Sequence, residues 1–444
     1  MTRARLRLGG NYRKLYAATA LSNIGDGMSA IAYPWLASAV TRNPILVAVI
    51  AAAQRLPWLV FTLPAGVITD RVDRKRAMVL MDSLRFVFTL LIAFAVFGAQ
   101  DSLPKPDEVQ SVVGTRAGLY VLLVIATLLL GCAEVLRDNS NQTFLPSIVA
   151  PEHLEHANGR IWSIESIANQ FVGPPLGSLL LMVAFSAPFF VDAGSFFAAA
   201  ALVALIPGMF RAERPEGETS RPHWRSELKE GFGWLWRNEV LRAMAVALGV
   251  MNLATNMSGA VFVLFAQDVL QVTPFTFTLM GFGGALGGII GGYTAPRFSK
   301  RFGSGASLAI SVGAFAVCQA VIGLITWWPL VALSFGVGVM FSMLWNVITV
   351  SFRQTIIPSH LLGRVNSVYR FFGWGMIPIG AVLGGLFVAV MTHFVSRNAA
   401  LRLIWFVDGG IHLVLLVFVL RVLTTEKIEA MRAAAAPDAA RLGG

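Results

Sequence analysis

Charge and cysteine are both scarce in this 444-residue chain. Asp, Glu, Lys and Arg together make up 13% of it, whereas soluble globular domains carry about 25% charged residues. With 56% hydrophobic residues and a mean hydropathy of +0.68, the chain has more apolar side chain than one aqueous core can hide. The two cysteines, Cys132 and Cys318, lie far apart inside apolar stretches. That excludes a disulfide framework or a thiolate metal site and leaves them as small packing residues. Missing too are the His-Glu-x-x-His of zinc hydrolases, the Gly-x-Ser-x-Gly of serine hydrolases and the Gly-x-x-x-x-Gly-Lys-(Ser/Thr) phosphate loop. The chain therefore reads as neither an enzyme nor an ATP-driven pump, with no cofactor and no metal.

What the sequence has instead is long apolar runs. A helix crosses a bilayer with about 20 apolar residues. Twelve stretches qualify: 15–40, 46–68, 77–97, 119–136, 158–184, 188–209, 241–265, 276–295, 305–327, 330–352, 365–391 and 401–423. The expected fold is an all-α membrane protein of twelve transmembrane helices in two pseudo-symmetric six-helix bundles. An N-terminal bundle at 1–210 joins a C-terminal bundle at 239–423 through a cytoplasmic linker at 211–238, and 424–444 forms a cytoplasmic tail. Within the linker, Leu228, Phe232, Leu235 and Trp236 fall at helical spacing among charges, as in an amphipathic helix lying on a membrane surface.

The net charge of +11 follows topology rather than nucleic acid. Basic residues crowd one set of loops (Arg13 and Lys14; Arg71, Arg74, Lys75 and Arg76; Arg297, Lys300 and Arg301), and the alternate loops hold few. Basic loops stay cytoplasmic, which places both termini inside. Arginine far outnumbers lysine and alanine is frequent, as in a GC-rich bacterial genome, so the expected location is a bacterial inner membrane.

The two halves repeat each other. Gln142-Thr-Phe-Leu-Pro-Ser147 is echoed by Gln354-Thr-Ile-Ile-Pro-Ser359, Gly159-Arg-Ile-Trp-Ser by Gly363-Arg-Val-Asn-Ser, and Phe190-Val-Asp-Ala-Gly194 by Phe406-Val-Asp-Gly-Gly410. The three matches keep the same order. Six spans per half gives both halves the same orientation, related by an axis along the membrane normal, with a substrate site expected between them.

The loop after span 2, Gly66-Val-Ile-Thr-Asp70-Arg71-Val-Asp73-Arg74-Lys75-Arg76, resembles the signature of the major facilitator superfamily, although Asp73 stands where that signature has glycine. Gly173-Pro174-Pro175-Leu176-Gly177 in span 5 resembles part of the helix-bend motif of superfamily exporters. Asn23-Ile-Gly-Asp26, Gly131-Cys-Ala-Glu134 and Leu145-Pro146 are similar to the drug:proton antiporter branch that includes macrolide and siderophore exporters. The resemblance implies that Asp70, flanked by Gly66, Arg71, Arg74 and Arg76, caps a helix of the other half in a gating latch. It also implies that spans 1, 4, 7 and 10 surround a central cavity, with Glu165 at the seam between halves.

An ionised side chain at mid-bilayer costs about 2.5–3.5 kcal/mol on insertion scales, so such residues persist when paired, wet or functional. Asp26, Arg55, Glu134, Arg137 and Glu165 are the candidate proton-coupling or cavity charges. Asp26 could pair with Arg55, and Glu134 with Arg137 at i, i+3, so a structural role stays open for Asp26 and Glu134. Asp82 and Arg85 read as a structural pair, Asp192 and Asp408 as packing residues, and His412 has no assigned role. Asn23, Asn252, Asn256, Trp345 and Asn346 are the candidates for a substrate cavity. The function expected is proton-coupled export of a small lipophilic or amphipathic molecule by a monomer in contact with membrane lipid. The alternatives are a lysophospholipid flippase, a metabolite uptake carrier, and a non-transporting sensor or assembly subunit.

Overall fold

The computed structural model of the chain describes residues 8–69, 71–210 and 224–442, with the backbone alone at 63, 66, 67, 224–228, 359–360 and 435–442. Among the described residues the secondary structure is helical, apart from one isolated bridge between Thr41 and Thr115. In the first half the helices are α1 (Gly9–Val40), α2 (Pro44–Val60), α3 (Thr62–Thr69), α4 (Arg74–Gly98), α5 (Ala117–Phe144), α6 (Leu154–Ile167), α7 (Gly173–Val183) and α8 (Ala187–Ala204). Next come α9 (Trp224–Arg237), α10 (Glu239–Ala260), α11 (Phe262–Asp268), α12 (Pro274–Phe302), α13 (Ser304–Leu324), α14 (Trp328–Ile356), α15 (Ser359–Met391), α16 (Arg397–Val422) and α17 (Thr425–Leu442).

Among the described residues, ten helical stretches are long and apolar enough to cross a membrane. The other two expected spans fall short of that measure for visible reasons. α1 has the length, at 32 residues, but carries Asn23, Ser22, Asp26 and Ser29, which lie on the face it turns to its neighbours. Span 2 is divided: α2 holds Pro57, ends at Phe61, and is continued by α3. Span 5 is divided too, because α6 passes through a π-turn at Ala168–Val172 before α7 begins at Gly173-Pro174-Pro175. A π-turn is common at functional sites, and these prolines lack the N–H groups that would carry the ladder through.

Helix starts are written in the sequence. Asn43 accepts from Ile45 N ahead of Pro44, Asn238 from Leu241 N, and Ser396 from Ala399 N. Each of these side chains satisfies one orphan N–H of a first turn. At the head of α4 the cap is Asp73, whose Oδ1 accepts from Arg76 N at 2.9 Å. Its Oδ2 accepts from Phe210 N at 2.7 Å, and Arg74 N donates to Phe210 O at 3.1 Å. Glycine at position 73 could do none of the side-chain part, so the departure from the loop signature has a local use.

The chain divides into two compact units, Met1–Pro215 with Val272–Thr278, and Glu216–Gln271 with Leu279–Gly444. In the first, α1 packs on α7 and α8, α4 on α5 and α8, and α2 on α5. In the second, α10 packs on α15 and α16, and α13 on α14 and α16. Close approach rests on glycine, as is usual between membrane helices. A Cβ at Gly177 would stand 2.6 Å from Met28 O, and one at Gly384 would collide with Met257 O.

The amphipathic segment of the linker is helical as expected, but it is docked. In α9, Leu235 is fully buried, Phe232 and Trp236 stack on each other and on Phe372, and Glu230 pairs with Arg364 at 2.6 Å. Leu228 lies outside the described side chains. The tail forms α17 and is also held. Ile428 is fully buried, and Thr425 Oγ1 accepts from Gly305 N and Ala306 N at the start of α13.

Candidate functional site

A cavity of about 250 Å³ opens within the first unit, between α1, α2, α4, α5, α8 and the π-turn of span 5. Three carboxylates (Asp26, Glu134 and Asp192) and two guanidinium groups (Arg55 and Arg85) line it, beside the aromatic rings of Tyr33, Trp58 and Phe196. The residues that build it are small where helices meet. A Cβ at Gly25 would collide with Asp192 and Ser195, and one at Gly27 would stand 2.9 Å from Ala168 O and from Gly173 Cα. α8 and the bend of span 5 can therefore press against α1, and Asp192 reaches α1 at the height of the cavity. A Cβ at Gly173 would stand 2.6 Å from Ile24 O, so Gly173, Pro174 and Gly177 form the seam between α1 and α7.

Behind the cavity wall the charges interlock. Arg85 forms an ion pair with Asp26, donates to Ser22 Oγ at 3.1 Å and lies 3.7 Å from Asp82. Its guanidinium also lies over the Phe196 ring, 3.9 Å from the centroid. Asp82 is fully buried, held at 3.5 Å by Arg137, which in turn lies 3.6 Å from Asp138. The expected pairing of Asp26 with Arg55 is thus replaced by Asp26 with Arg85, whose side chain reaches Ser22 and Asp26 of α1 from α4. The i, i+3 pairing of Glu134 with Arg137 is not formed either, since Arg137 points to Asp82 and Asp138. Arg137 therefore stands one layer behind the cavity. Glu165, on α6, is half-buried and is not among the lining residues.

Glu134 is the exception in this network. Among the described residues it has no ion-pair or hydrogen-bond partner, and it lines the cavity. Arg55 likewise lines the cavity without an ion pair among the described residues. Asn23 accepts from Asn169 Nδ2 and donates to Thr19 O at 2.8 Å, which ties α1 to the π-turn.

The described arginines of the gating loop, Arg71, Arg74 and Arg76, do not line this cavity. Asp70 lies outside the described residues, and Gly66 is described by its backbone alone, within α3. Arg71 and Arg76 are exposed, and Arg74 donates to Thr143 O at 2.9 Å.

In the second unit the candidates read differently. Trp345 is a core residue 3% exposed, packed with the apolar side chains of α10, α14 and α15. Asn346 is exposed, Asn252 donates to Gly373 O at 2.9 Å, and Asn256 donates to Asn252 O at 2.8 Å. Asp408 is fully buried, and its Oδ2 accepts from Ser258 at 2.7 Å and from Gln319 at 2.5 Å. His412 Nδ1 lies 2.9 Å from Asp408 Oδ1.

Sequence reasoning read Asp192 as packing, yet it is a cavity residue. A pattern common to both units marks the bond it makes, though not the cavity. Asn23-x-x-x-x-Met28-Ser29 and Asn252-x-x-x-x-Met257-Ser258 share one pattern, and each serine donates to the aspartate of its own unit's sixth span. The first unit's acid thereby sits against a cavity that its own helices enclose, within reach of groups able to carry a proton.

The model of the Major Facilitator Superfamily matches residues 15–381. The multidrug efflux pump Tap of Mycolicibacterium fortuitum is 25% identical over 84% of this chain and 87% of its own length. Tap of Mycobacterium tuberculosis (strain ATCC 25618 / H37Rv) is 26% identical over 83% and 84%. The enterobactin exporter EntS of Escherichia coli O1:K1 / APEC is 24% identical over 88% of each chain. Among solved structures, the nucleoside transporter NupG aligns with a TM-score of 0.67 at 13% identity, covering 94% of this chain and 100% of that one. A bacterial homologue of the iron transporter ferroportin in its inward-facing state aligns with a TM-score of 0.67 at 16% identity, over 94% and 99%. Likeness at these identities concerns the fold alone.

Proposed function

We propose, on the premise that the chain belongs to the Major Facilitator Superfamily of membrane transporters, that it exports a small lipophilic or amphipathic molecule in exchange for protons. As an integral membrane protein of that superfamily it moves a small-molecule substrate and is not an enzyme. The export direction draws on its likeness to multidrug and siderophore exporters. The chain works as a monomer by alternating access, in a bacterial inner membrane, with both termini in the cytoplasm.

The observation that carries proton coupling is Glu134, which faces the first unit's cavity without a counter-ion while Asp26 beside it is bound to Arg85. An ionised carboxylate without a partner inside a membrane protein is costly, so a group in this position gains from taking up a proton and can return it when the cavity is wet. Asp26 and Glu134 load and unload, Arg85 and Arg137 hold the surrounding charge in balance, and Asp70 with Arg71, Arg74 and Arg76 forms the cytoplasmic gate. Glu165 stands by as a second acid on span 5.

The test uses everted membrane vesicles carrying the chain, loaded in turn with ethidium, erythromycin and enterobactin under an imposed pH gradient. Accumulation of at least one probe that stops when the gradient is collapsed supports the reading. Accumulation that continues unchanged after collapse overturns proton coupling, and no movement of any of the three overturns the assigned substrate class.

A further inference from the structure

The sixth span of each unit carries the same five-residue element, Phe190-Val-Asp192-Ala-Gly and Phe406-Val-Asp408-Gly-Gly. Each aspartate accepts a hydrogen bond from the serine of its unit's first span: Ser29 Oγ to Asp192 Oδ2 at 2.5 Å, and Ser258 Oγ to Asp408 Oδ2 at 2.7 Å. The helices around them are matched as well. Gly173 and Gly177 meet the backbone of Ile24 and Met28, and Gly380 and Gly384 meet that of Leu253 and Met257, positions that correspond through the Asn-x-x-x-x-Met-Ser pattern.

The surroundings of the two acids differ in what else reaches them. Asp408 has an amide from Gln319 on its Oδ2, and His412 one turn on, with Nδ1 at 2.9 Å from Oδ1. Where His412 stands in the second unit, the corresponding residue of the first is Phe196, whose ring is taken up by Arg85. Asp192 has only hydroxyl neighbours, Ser29 and the more distant Ser195 at 3.4 Å, and it lines the cavity. The charged and titratable groups that face it are Asp26 and Tyr33 from α1, Arg85 from α4 and, across the cavity, Arg55 from α2 and Glu134 from α5. Arg85 is already shared between Asp26 and Asp82, so no cation is dedicated to Asp192.

We propose that Asp192 is a proton-exchanging residue of the cavity, and that Asp408, its counterpart by sequence, is a fixed structural carboxylate. One proton from the aqueous side adds to the Asp192 carboxylate and makes a neutral acid, and its release to the opposite side restores the charge. Ser29 positions the carboxylate through its hydroxyl. This deepens the proton-coupled reading above and rests on it for its transport readout, but not for its spectroscopic one.

The decisive experiment is pH-difference infrared spectroscopy on the purified full chain in lipid nanodiscs. Acidification should raise protonated-carboxyl bands, of which one is lost in Asp192→Asn and none in Asp408→Asn. Should Asp192→Asn fail to fold, Ser29→Ala keeps the carboxylate and should shift the frequency of that same band, whereas Ser258→Ala leaves the spectrum unaltered. A spectrum of Asp192→Asn or of Ser29→Ala superimposable on that of the wild type overturns the proposal, as does loss of the band in Asp408→Asn. In everted vesicles, Asp192→Asn should lose the pH-gradient-driven component of ethidium, erythromycin or enterobactin accumulation, and Asp408→Asn should keep it. A wild type indifferent to the gradient sinks the coupled reading while leaving the infrared assignment standing. A gradient-driven wild type with an equally gradient-driven Asp192→Asn sinks this proposal and leaves the coupling with Glu134 and Asp26.

Discussion

The two units solve one packing problem with the same glycines and the same serine–aspartate bond, and then diverge in where they keep charge. In the first unit an aspartate at position 26 of α1 draws in Arg85, Asp82, Arg137 and Asp138 behind a cavity. In the second, the position that corresponds to Asp26 is Thr255. Its buried arginine, Arg353, is held by neutral partners: Thr349 O at 3.2 Å, Asn366 Oδ1 at 2.8 Å and the face of Tyr369 at 3.9 Å. One duplicated scaffold thus carries an arginine–carboxylate network in its first copy, while Arg353 and Asp408 of the second are held apart, each by its own hydrogen bonds.

The comparison can be broken most forcefully at Arg85. Its replacement by Met leaves Asp26 without its cation and Asp82 with Arg137 alone, and removing one partner of a buried pair destabilises by about 3–5 kcal/mol. Arg353→Met removes no counter-charge from a carboxylate, so its melting temperature in detergent should fall much less than that of Arg85→Met. Equal losses would mean that the charge network is no more confined to the first unit than to the second. Next in size come the paired glycines. Gly177→Val and Gly384→Val each push side-chain atoms into a neighbouring backbone, where overpacking costs about 1–3 kcal/mol or more. The two should melt earlier by similar amounts, and a large disparity would show that the α1–α7 and α10–α15 seams are not equivalent.

Smaller again is Asp408→Asn, whose amide oxygen can still accept from both Ser258 and Gln319, so only the strengthening given by a charged acceptor is lost, about 1 kcal/mol. Its gradient-driven accumulation, corrected for abundance in the membrane, should match the wild type. The smallest stability effect belongs to Glu134→Gln. No partner is lost there, so the change should stay within about 0.5 kcal/mol, as for substitutions that break no named interaction. Accumulation in the same vesicles should nevertheless lose its response to the pH gradient. A Glu134→Gln protein that melts markedly earlier would place Glu134 among the structural charges with Asp82.

How much of this was legible in the sequence depends on the range of the interaction. The spans were legible because each is a local apolar run, and their division at Phe61 and at Ala168–Val172 was foreshadowed by Pro57 and by Pro174-Pro175. The internal duplication was legible from three matched motifs. The partner of Asp26 was not, because Arg55 and Arg85 lie on two different helices and only tertiary packing decides which of them reaches Asp26. Asp192 and Asp408 share one local motif, so nothing within it could separate a cavity acid from a sealed one. Their difference resides in Phe196 and His412, four residues on, and in Gln319 on another helix. The burial of Trp345 was not legible for a similar reason: an aromatic residue in an apolar run carries no mark of how deeply it is packed.

The clasp at Asp73 has a consequence for how the chain is made. Asp73 and Arg74 hold Phe210 by a side-chain and a backbone bond at the head of α4, so the close of the sixth span is fastened to the start of the third. All the participants in that knot, and all those in the charge network, are synthesised before α9 leaves the ribosome. The translocon can hand over a first half whose helices are already secured to one another. Two separately encoded fragments, divided in the segment between residues 210 and 224, should accordingly reassemble in the membrane, whereas a break within α5 should not.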